Sequence, residues 1–442
     1  MVGAAQEAIA YYAIRASQPI VVRNDWSVDH TLTGFAERIS QVERSPLTPR
    51  TYAIEGEVFA RFLRQRYGKE LREVEESDLW AYRNERLDGP MNVRLERSSW
   101  NKIAAVILRL LRHLKITFPE LNWKSYSAGK GGGTVRMVSL DHYLRFRNDG
   151  LMARRNALRN GAFGETLVTT GLRCNEASHL LKREVPSLES FGSYNSRTWA
   201  MPATICKGEK PRSIVTSKRV IRDYISAYMR EERSGFVQSY IQRRFQNRAY
   251  SLRDLDSMSD HIFFNMISSS MAEVIGGASH QKRLPLAEFT VYERERLIEV
   301  ARTSGRNLYS ITDLGPLWLS ETGTCVNNSS WRSEFSAAFR YAGLVGIADN
   351  DITPHVLRHS FAVYMLKFML LGLLELRAKR GALDRRGEVY DMLVGDPLNI
   401  LQQLLGHSSI STTYKYLRFN QSNSELVARA FDTWDTHMAL TT

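Results

Sequence analysis

Apolar side chains recur every three or four positions through the first third of the chain. The pattern is sharpest over residues 51–67 and 98–114, where arginine and other polar residues occupy many of the intervening positions. This spacing is typical of amphipathic helices with one buried face. It predicts a compact all-helical domain with basic faces over residues 31–126, after an N-terminal extension over residues 1–30.

A glycine-rich segment follows this helical domain. Residues 127–134 read Ser-Ala-Gly-Lys-Gly-Gly-Gly-Thr, a composition that indicates a flexible linker. Lys130 within it lacks the G-x-x-x-x-G-K-[ST] spacing of a phosphate-binding loop. The linker predicts two tethered domains, and such a pair can close around a rod-like partner as a C-shaped clamp.

The pattern after the linker predicts a larger domain over residues 135–420. It is helical except at residues 199–206 and 212–216, which resemble two strands, with a turn at 207–211 between them. Helical patterning returns after this hairpin and continues into a tail helix over residues 421–442. The fold class is therefore mainly α with a small β-hairpin or sheet.

Composition narrows the classes of function. Lys and Arg number 60 against 47 Asp and Glu, for a net charge of +13, which favours a polyanionic partner such as nucleic acid. No apolar run is long enough for a transmembrane helix, and the N-terminus lacks a signal-peptide pattern. The 3 cysteines are scattered, which argues against a disulfide framework or a cysteine-based zinc site. We therefore expect a soluble cytoplasmic protein.

Three short motifs lie far apart along the larger domain. Residues 170–176 are Thr-Gly-Leu-Arg-Cys-Asn-Glu, residues 353–360 are Thr-Pro-His-Val-Leu-Arg-His-Ser, and residues 404–416 contain Leu-Gly-His and two later tyrosines. Together they resemble the tyrosine recombinase (phage integrase) family. Its catalytic domain carries an arginine, a hairpin lysine, His-x-x-Arg, Leu-Gly-His and a nucleophilic tyrosine. The resemblance extends over roughly residues 45–434.

The resemblance implies a set of catalytic residues in this chain, with one supporting acidic residue. They are Arg173, Lys207, His355, Arg358, His407 and Tyr416, supported by Glu176. In this family the tyrosine attacks a DNA phosphodiester and forms a 3′-phosphotyrosine. The resemblance makes Lys207 the acid for the leaving 5′-oxygen and His407 a hydrogen-bond donor to the phosphate.

The residue types suit that chemistry. Arg173 and Arg358 can each present a planar fork of donors to the phosphate oxygens. The phenol of Tyr416 can form an ester with phosphorus, but its unperturbed pKa of about 10 calls for a base or a strongly positive site. His355 is placed to take that proton or to hold the phosphate. Because the ester stores the bond energy, the reaction requires no cofactor or metal.

Two of the candidate residues also have a plainer interpretation as surface charges. Arg173 alone can be an ordinary helix-surface arginine, but the preceding glycine and Glu176 favour the catalytic role. Lys207 shares its turn with Lys210, and either can simply be solvated. We prefer Lys207 because the lysine of the family precedes the turn glycine.

The histidines and tyrosines have alternatives as well. His355 and His359 stand one helical turn apart, as zinc ligands do. The glutamate of H-E-x-x-H is missing, however, and Arg358 would place a cation beside the metal, so we interpret His359 as a packing residue. Tyr414 and Tyr416 can both be core aromatics, and only the family spacing after the Leu-Gly-His histidine selects Tyr416.

Two stretches depart from the family pattern. Insertions are predicted near residues 230–295 and 371–397, either as additional DNA-contacting arms or as solvated surface helices. The tail beyond residue 420 has an apolar side. Because terminal helices of the family are often exchanged between subunits, we expect this tail to be exchanged too.

The resemblance implies a site-specific recombinase that acts on double-stranded DNA recombination sites. It would work as a homotetramer, exchange strands through a Holliday junction, and integrate or excise a mobile element. Accessory DNA-bending or directionality proteins are further candidate partners. Two alternatives stay open, namely a type IB topoisomerase-like nicking-closing enzyme and a catalytically inactive DNA-binding regulator on the same fold.

Overall fold

The computed structural model describes most of the chain. The described residues are 18–43, 47–91, 94–118, 136–276, 282–303, 308–348, 351–380, 396–414 and 416, with backbone alone at 47, 97–98 and 373–380. The predicted linker and tail helix lie outside them, as does most of the predicted insertion at 371–397. The chain divides into two compact units, Met1–Gly133 and Thr134–Thr442.

The described part of the first unit is helical, as the hydrophobic pattern predicts. Its helices are α1 (His30–Val42), α2 (Leu47–Tyr67), α3 (Glu76–Asp88) and α4 (Arg97–His113), with a 3-10 turn at Leu71–Glu73. Each α-helix places a fully buried side chain in one shared core, namely Leu32, Phe59, Leu79 and Ile107. The periodic apolar positions are therefore the core-facing ones.

The second unit is built on a set of helices of varied length. Its α-helices are α5 (Leu140–Arg145), α6 (Ala157–Thr170), α7 (Cys174–Ser178), α8 (Ser226–Tyr228), α9 (Ser234–Phe245), α10 (Leu252–Asp256), α11 (Val291–Arg294), α12 (Asn328–Tyr341), α13 (Pro354–Arg380), α14 (Pro397–Leu405) and α15 (Ser411–Tyr414). Shorter π segments are Phe146–Leu151, Val220–Ile225 and Met229–Arg233, and 3-10 turns are Lys182–Glu184, Glu189–Phe191, Ala203–Ile205, Lys207–Glu209 and Leu286–Glu288. No described helix is long and apolar enough to cross a membrane.

An aromatic core fixes α6 in this unit. Phe163 of α6 stacks on Trp331 of α12 with ring centroids 3.6 Å apart. Trp318 contacts both rings edge-on. All three side chains are fully buried, so the C-terminal end of α6, where the first motif lies, is held on a rigid support.

The predicted hairpin is confirmed, with a longer connection than expected. Strand β1 (Ser196–Met201) pairs antiparallel with β2 (Arg212–Ser217), so that Trp199 lies opposite Ile214. The first strand ends before residue 203, because residues 203–205 and 207–209 form 3-10 turns. Lys207 therefore lies in a turn, as predicted.

A second sheet of six strands contradicts the expectation that helical patterning continues after the hairpin. Its strands are β3 (Ala249–Ser251), β4 (Ile262–Met266), β5 (Met271–Ile275), β6 (Arg283–Pro285), β7 (Leu297–Arg302) and β8 (Leu308–Leu314), in the order β3-β8-β7-β4-β5-β6. Strands β4 and β7 pair in parallel, and the other neighbours are antiparallel. The strands are short, and consecutive buried residues in β7 show no alternation, so their pattern cannot be told from that of a buried helix. The sheet occupies much of the predicted insertion at 230–295 and extends beyond it.

Two buried arginines tie this sheet to the neighbouring helices and loops. Arg233 is 2% exposed and donates to the carboxylate of Asp313 at 2.7 Å and to the carbonyl of Leu317 at 3.1 Å. Arg294 is 1% exposed and forms a fork-to-fork pair with Glu184 at 2.8 and 2.9 Å. Buried guanidinium groups that are paired with a carboxylate and hydrogen-bonded to backbone carbonyls hold their surroundings in one geometry.

Candidate active site

A tight turn between α6 and α7 positions Arg173. Gly171 ends α6 with a φ of 65°, and a side chain there would overlap the ring of Phe361, so the turn requires glycine. The backbone N–H of Arg173 donates to Glu176 at 2.8 Å, and its guanidinium donates to the same carboxylate at 2.7 Å. Glu176 is 1% exposed, so the supporting residue predicted from the sequence holds Arg173 by both backbone and side chain.

Helix α13 carries Arg358 into the interior. Pro354 is its first residue, and the hydroxyl of Thr353 accepts a backbone N–H of the first turn at 3.3 Å. Arg358, in the second turn, is 3% exposed. Its guanidinium donates to the carbonyl of Gly171 and, at 2.5 Å, to the carbonyl of Leu405. One side chain therefore joins all three sequence motifs.

A further arginine, which the sequence analysis did not select, completes this cluster. Arg212 opens strand β2, and its side chain is 7% exposed. It donates to Glu176 at 2.7 Å and to the carbonyl of Leu405 at 2.8 Å. Glu176 therefore lies between two guanidinium groups. The available signal is alternation, because Arg212 shares the inward-facing side of β2 with Ile214 and Thr216.

The third motif begins where α14 ends. Gly406 has a φ of 60°, and a β-carbon there would lie 2.7 Å from Nη1 of Arg212. The glycine thus lets the chain reverse directly against the arginine cluster. His407 follows, and its Nδ1 lies 3.0 Å from the hydroxyl oxygen of Thr413, which is fully buried. This threonine contact was not predicted.

The arginine cluster concentrates positive charge away from water. Burial, followed by the charges of Arg173 and Arg212, lowers the pKa of the Arg358 guanidinium to about 9. An arginine keeps its proton at neutral pH. The lowered pKa therefore shows that the buried position of Arg358 is energetically unfavourable for its positive charge. An anion beside Arg358 would relieve that cost.

Tyr416 is fully buried near this cluster, and its ring lies nearly parallel to that of His407 at a centroid distance of 6.2 Å. Burial raises the pKa of Tyr416 to about 12, and the charges of Arg358 and Arg173 oppose that shift. Tyr414, by contrast, is 50% exposed at the end of α15. The tyrosine that the family spacing selects is the one beside the cationic groups.

His359 contacts the hydroxyl of Tyr416. The sequence analysis interprets His359 only as a packing residue and does not predict this contact. Its Nδ1 lies 2.8 Å from the hydroxyl oxygen of Tyr416, and its Nε2 lies 2.9 Å from Nε2 of His355. The two histidines are one turn apart on α13, and His355 is exposed. Among the described residues, no group of three or more His, Cys, Asp or Glu side chains is arranged to hold a metal ion.

Lys207 stands at the edge of this arrangement. It is exposed in the turn before β2. Its neighbour Cys206 is buried, and burial, followed by the charge of Glu176, raises the pKa of that thiol, while Arg212 and Arg173 oppose the shift. The backbone before Lys207 therefore reaches the arginine cluster, and its side chain points to solvent.

Comparison with known proteins confirms the resemblance to the tyrosine recombinase (phage integrase) family that the motifs predict. Tyrosine recombinase XerD of Xanthomonas campestris pv. campestris is 27% identical over 153 residues, which are 34% of this chain and 38% of the relative. XerD of Yersinia pestis is 29% identical over 150 residues, 34% of this chain and 40% of the relative. The aligned segment spans about two fifths of each of these relatives. No family model matches the chain.

Solved structures with similarity to this chain include two recombinase complexes. One is the XerH site-specific recombinase bound to palindromic difH substrate, with a TM-score of 0.48, 14% identity, and coverage of 93% of this chain and 92% of that one. Another is the Tn1549 transposon integrase in complex with transposon right end DNA, with a TM-score of 0.41, 12% identity, and coverage of 87% and 94%.

Proposed function

We propose that this chain is a site-specific tyrosine recombinase that cleaves and rejoins DNA through a 3′-phosphotyrosine. One observation carries the proposal: the buried Arg358 donates to the backbone carbonyls of Gly171 and Leu405, and so holds its own motif against the two motifs that contain Arg173 and Tyr416. A phenol and two guanidinium groups are the parts that phosphoryl transfer to a protein oxygen requires. The curated relatives, which are named tyrosine recombinases, support the same function.

The two arginines can bind the scissile phosphate. Arg358 uses its described hydrogen bonds on two backbone carbonyls, which leaves donors of its five N–H groups for phosphate oxygens. Arg173 is 28% exposed, so its guanidinium is open to a substrate. A phosphate between them would offset the mutual repulsion of the cluster, and the two arginines would stabilise the negative charge that develops on the phosphate in the transition state.

The remaining predicted residues have roles that follow from their positions. Tyr416 attacks phosphorus, and His407, whose ring lies beside that of Tyr416, donates a hydrogen bond to the phosphate. Lys207, exposed on its turn, moves to the leaving 5′-oxygen and protonates it once DNA is bound. The net charge of +13 favours binding to the phosphate backbone of DNA, and this affinity should fall steeply as the salt concentration rises.

The larger assembly belongs to the same proposal. Both units bind double-stranded DNA, four copies assemble on two recombination sites, and strands exchange through a Holliday junction during integration or excision of a mobile element. The tail beyond residue 420 is exchanged between copies. A chain truncated after residue 420 should form fewer tetramers on DNA in sedimentation experiments, and unchanged assembly would contradict the exchange.

A suicide DNA substrate tests the chemistry. Its sequence comes from the recombination site in the DNA flanking the gene, and a nick near the cleavage position traps the covalent adduct. Wild type should form the adduct, Tyr416→Phe should not, and the matched control Tyr414→Phe should retain it. An adduct that persists in Tyr416→Phe would refute the assignment of the nucleophile.

Two outcomes of that experiment favour the alternatives. Tight binding to the site without any adduct would indicate a catalytically inactive DNA-binding regulator. Adduct formation together with relaxation of a supercoiled plasmid that lacks the site would indicate a type IB topoisomerase-like nicking-closing enzyme. A recombinase should instead show a strong preference for the site.

A further inference from the structure

Three side chains form a continuous line from the buried tyrosine to the protein surface. The hydroxyl oxygen of Tyr416 lies 2.8 Å from Nδ1 of His359, and Nε2 of His359 lies 2.9 Å from Nε2 of His355. Tyr416 is fully buried and His359 is 8% exposed, whereas His355 is exposed. Both distances are within the range of hydrogen bonds.

We propose that His359 is the catalytic base that takes the proton of Tyr416 and passes a proton on to His355. This inference rests on the proposed function, because it concerns the activation of the nucleophile in that reaction. His359 touches the reacting oxygen, and His355 acts through His359. The base is thus the second histidine of the motif at 353–360, not the one that its His-x-x-Arg pattern selects.

The transfer balances with both histidines neutral at the start. His359 carries its hydrogen on Nε2 and accepts the phenol proton at Nδ1, so the O–H bond breaks and the Nδ1–H bond forms. The Nε2–H of His359 passes to Nε2 of His355, which becomes the imidazolium. The phenolate oxygen bonds to phosphorus, the bond from phosphorus to the 5′-oxygen breaks, and Lys207 protonates that oxygen. Rejoining runs the same steps backwards.

Burial of Tyr416 favours such a route. Because the pKa of Tyr416 is raised to about 12, only about 1 molecule in 10⁵ would carry the phenolate at pH 7. Solvent cannot collect the proton directly, since Tyr416 has an exposure of 0%. A relay through His359 delivers the charge to an exposed ring, where water can stabilise it.

Several charged and titratable groups face this relay from the elements around it. Arg358, on the same helix, and Arg173, before α7, act on Tyr416 and favour its anion. The His407 ring lies parallel to the phenol ring. These cations also disfavour an imidazolium at the buried position of His359, which is a reason for the proton to move on to exposed His355.

The variant His359→Asn tests the relay. The side-chain oxygen of asparagine can accept the phenol hydrogen bond as Nδ1 does, but it cannot carry the proton onward. The substrate is a nicked DNA site with a 5′-bridging sulfur at the cleaved bond, because a thiolate leaves without an acid. We expect adduct formation about 100-fold or more slower than wild type at pH 7. The variant rate should rise about tenfold per pH unit towards pH 9, as hydroxide replaces the base.

The exposed partner supplies a second variant that is expected to fold. His355→Gln should also slow the reaction, and the double variant should be no slower than the slower single one, because both residues serve one proton path. Additive losses would show that His355 acts independently. The control is His261→Asn, since His261 also contacts a tyrosine hydroxyl, that of Tyr240 at 3.2 Å, and it should react at the wild-type rate.

The outcomes separate this inference from the proposed function. If wild type forms no adduct, the proposed function fails, and if Tyr416→Phe still forms one, the assignment of the nucleophile fails. If those two behave as expected and His359→Asn has the wild-type rate and pH profile, the relay alone is wrong. A proton inventory of wild type in mixtures of H₂O and D₂O requires no variant: two protons in flight predict a curved dependence of rate on deuterium fraction, and a straight line contradicts the relay.

Discussion

Replacing Arg212 by methionine should destabilise the second unit strongly. Arg212 is 7% exposed and Glu176 is 1% exposed, so their ion pair at 2.7 Å is almost completely excluded from solvent. The variant leaves Glu176 with Arg173 as its described cationic partner and removes one guanidinium donor from the carbonyl of Leu405. Taking one partner from a buried ion pair costs about 3–5 kcal/mol, because the remaining charge stays buried.

The assay is thermal unfolding of the full chain. At about 2 °C per kcal/mol for a unit of this size, the Tm of the transition should fall by about 6–10 °C. Arg222→Met is the control, since Arg222 is 61% exposed and paired with Asp223 at the surface. An exposed pair contributes less than about 1 kcal/mol, so this Tm should fall by less than about 2 °C.

The reasoning has a clear point of failure. If Arg212→Met melts within about 2 °C of wild type, the carboxylate of Glu176 is not held by that arginine in solution. If the interpretation is correct, the Tm of Arg212→Lys should lie between those of Arg212→Met and wild type. Lysine retains the positive charge but lacks the planar fork that reaches both Glu176 and Leu405.

Three further predictions follow from the buried groups. Gly171→Ala should lower stability by about 2–5 kcal/mol in urea unfolding, because a side chain at a φ of 65° is strained and would overlap the ring of Phe361. The stability of wild type relative to Tyr416→Phe should fall as pH rises from about 10 to about 12, since the folded chain keeps the phenol protonated up to a pKa of about 12 while the unfolded chain loses the proton near 10. Arg233→Met should cost about 3–5 kcal/mol by leaving Asp313 without that buried cation, measured by the urea midpoint.

Each of these has its own check. Gly208→Ala is the control for the first, because Gly208 has nearly the same backbone conformation as Gly171, with a φ of 72°, but a side chain there meets nothing within 4 Å, so only the backbone cost of about 1–2 kcal/mol remains. For the second, equal pH dependence in both proteins would mean that the phenol of Tyr416 is not buried in solution. For the third, a loss no larger than that of Arg222→Met would show that the Arg233 hydrogen bonds contribute little.

Much of the candidate site could be predicted because its motifs are local strings. In each motif a helix starts or ends at a proline or glycine, and the functional residue lies close to that point. These residues are Gly171 and Arg173, Pro354 and Arg358, and Gly406. Such turn chemistry depends on the nearest few residues. The predicted hairpin is local as well, since its two strands follow each other directly along the chain.

The six-stranded sheet could not be predicted from the local sequence pattern. Ile262 of β4 pairs in parallel with Leu297 of β7, and the segments between them form other strands. Short runs of consecutive buried residues fit a strand or a helix equally well. Only the pairing itself, made between residues far apart in the chain, selects the strand.

The amino-acid sequence alone determined the helical first unit, the hairpin, the basic character and the positions of the three motifs. The tertiary structure decided which side chains act together. Arg212 meets Glu176 from 36 residues away, and His359 meets Tyr416 from 57 residues away. Alternation along β2 indicates that Arg212 faces inward, but no pattern in the sequence identifies the partner of either residue, because a hydrogen bond between distant segments depends on how the backbone brings them together. The cluster that binds Glu176, and the histidine beside the phenol, are therefore properties of the fold.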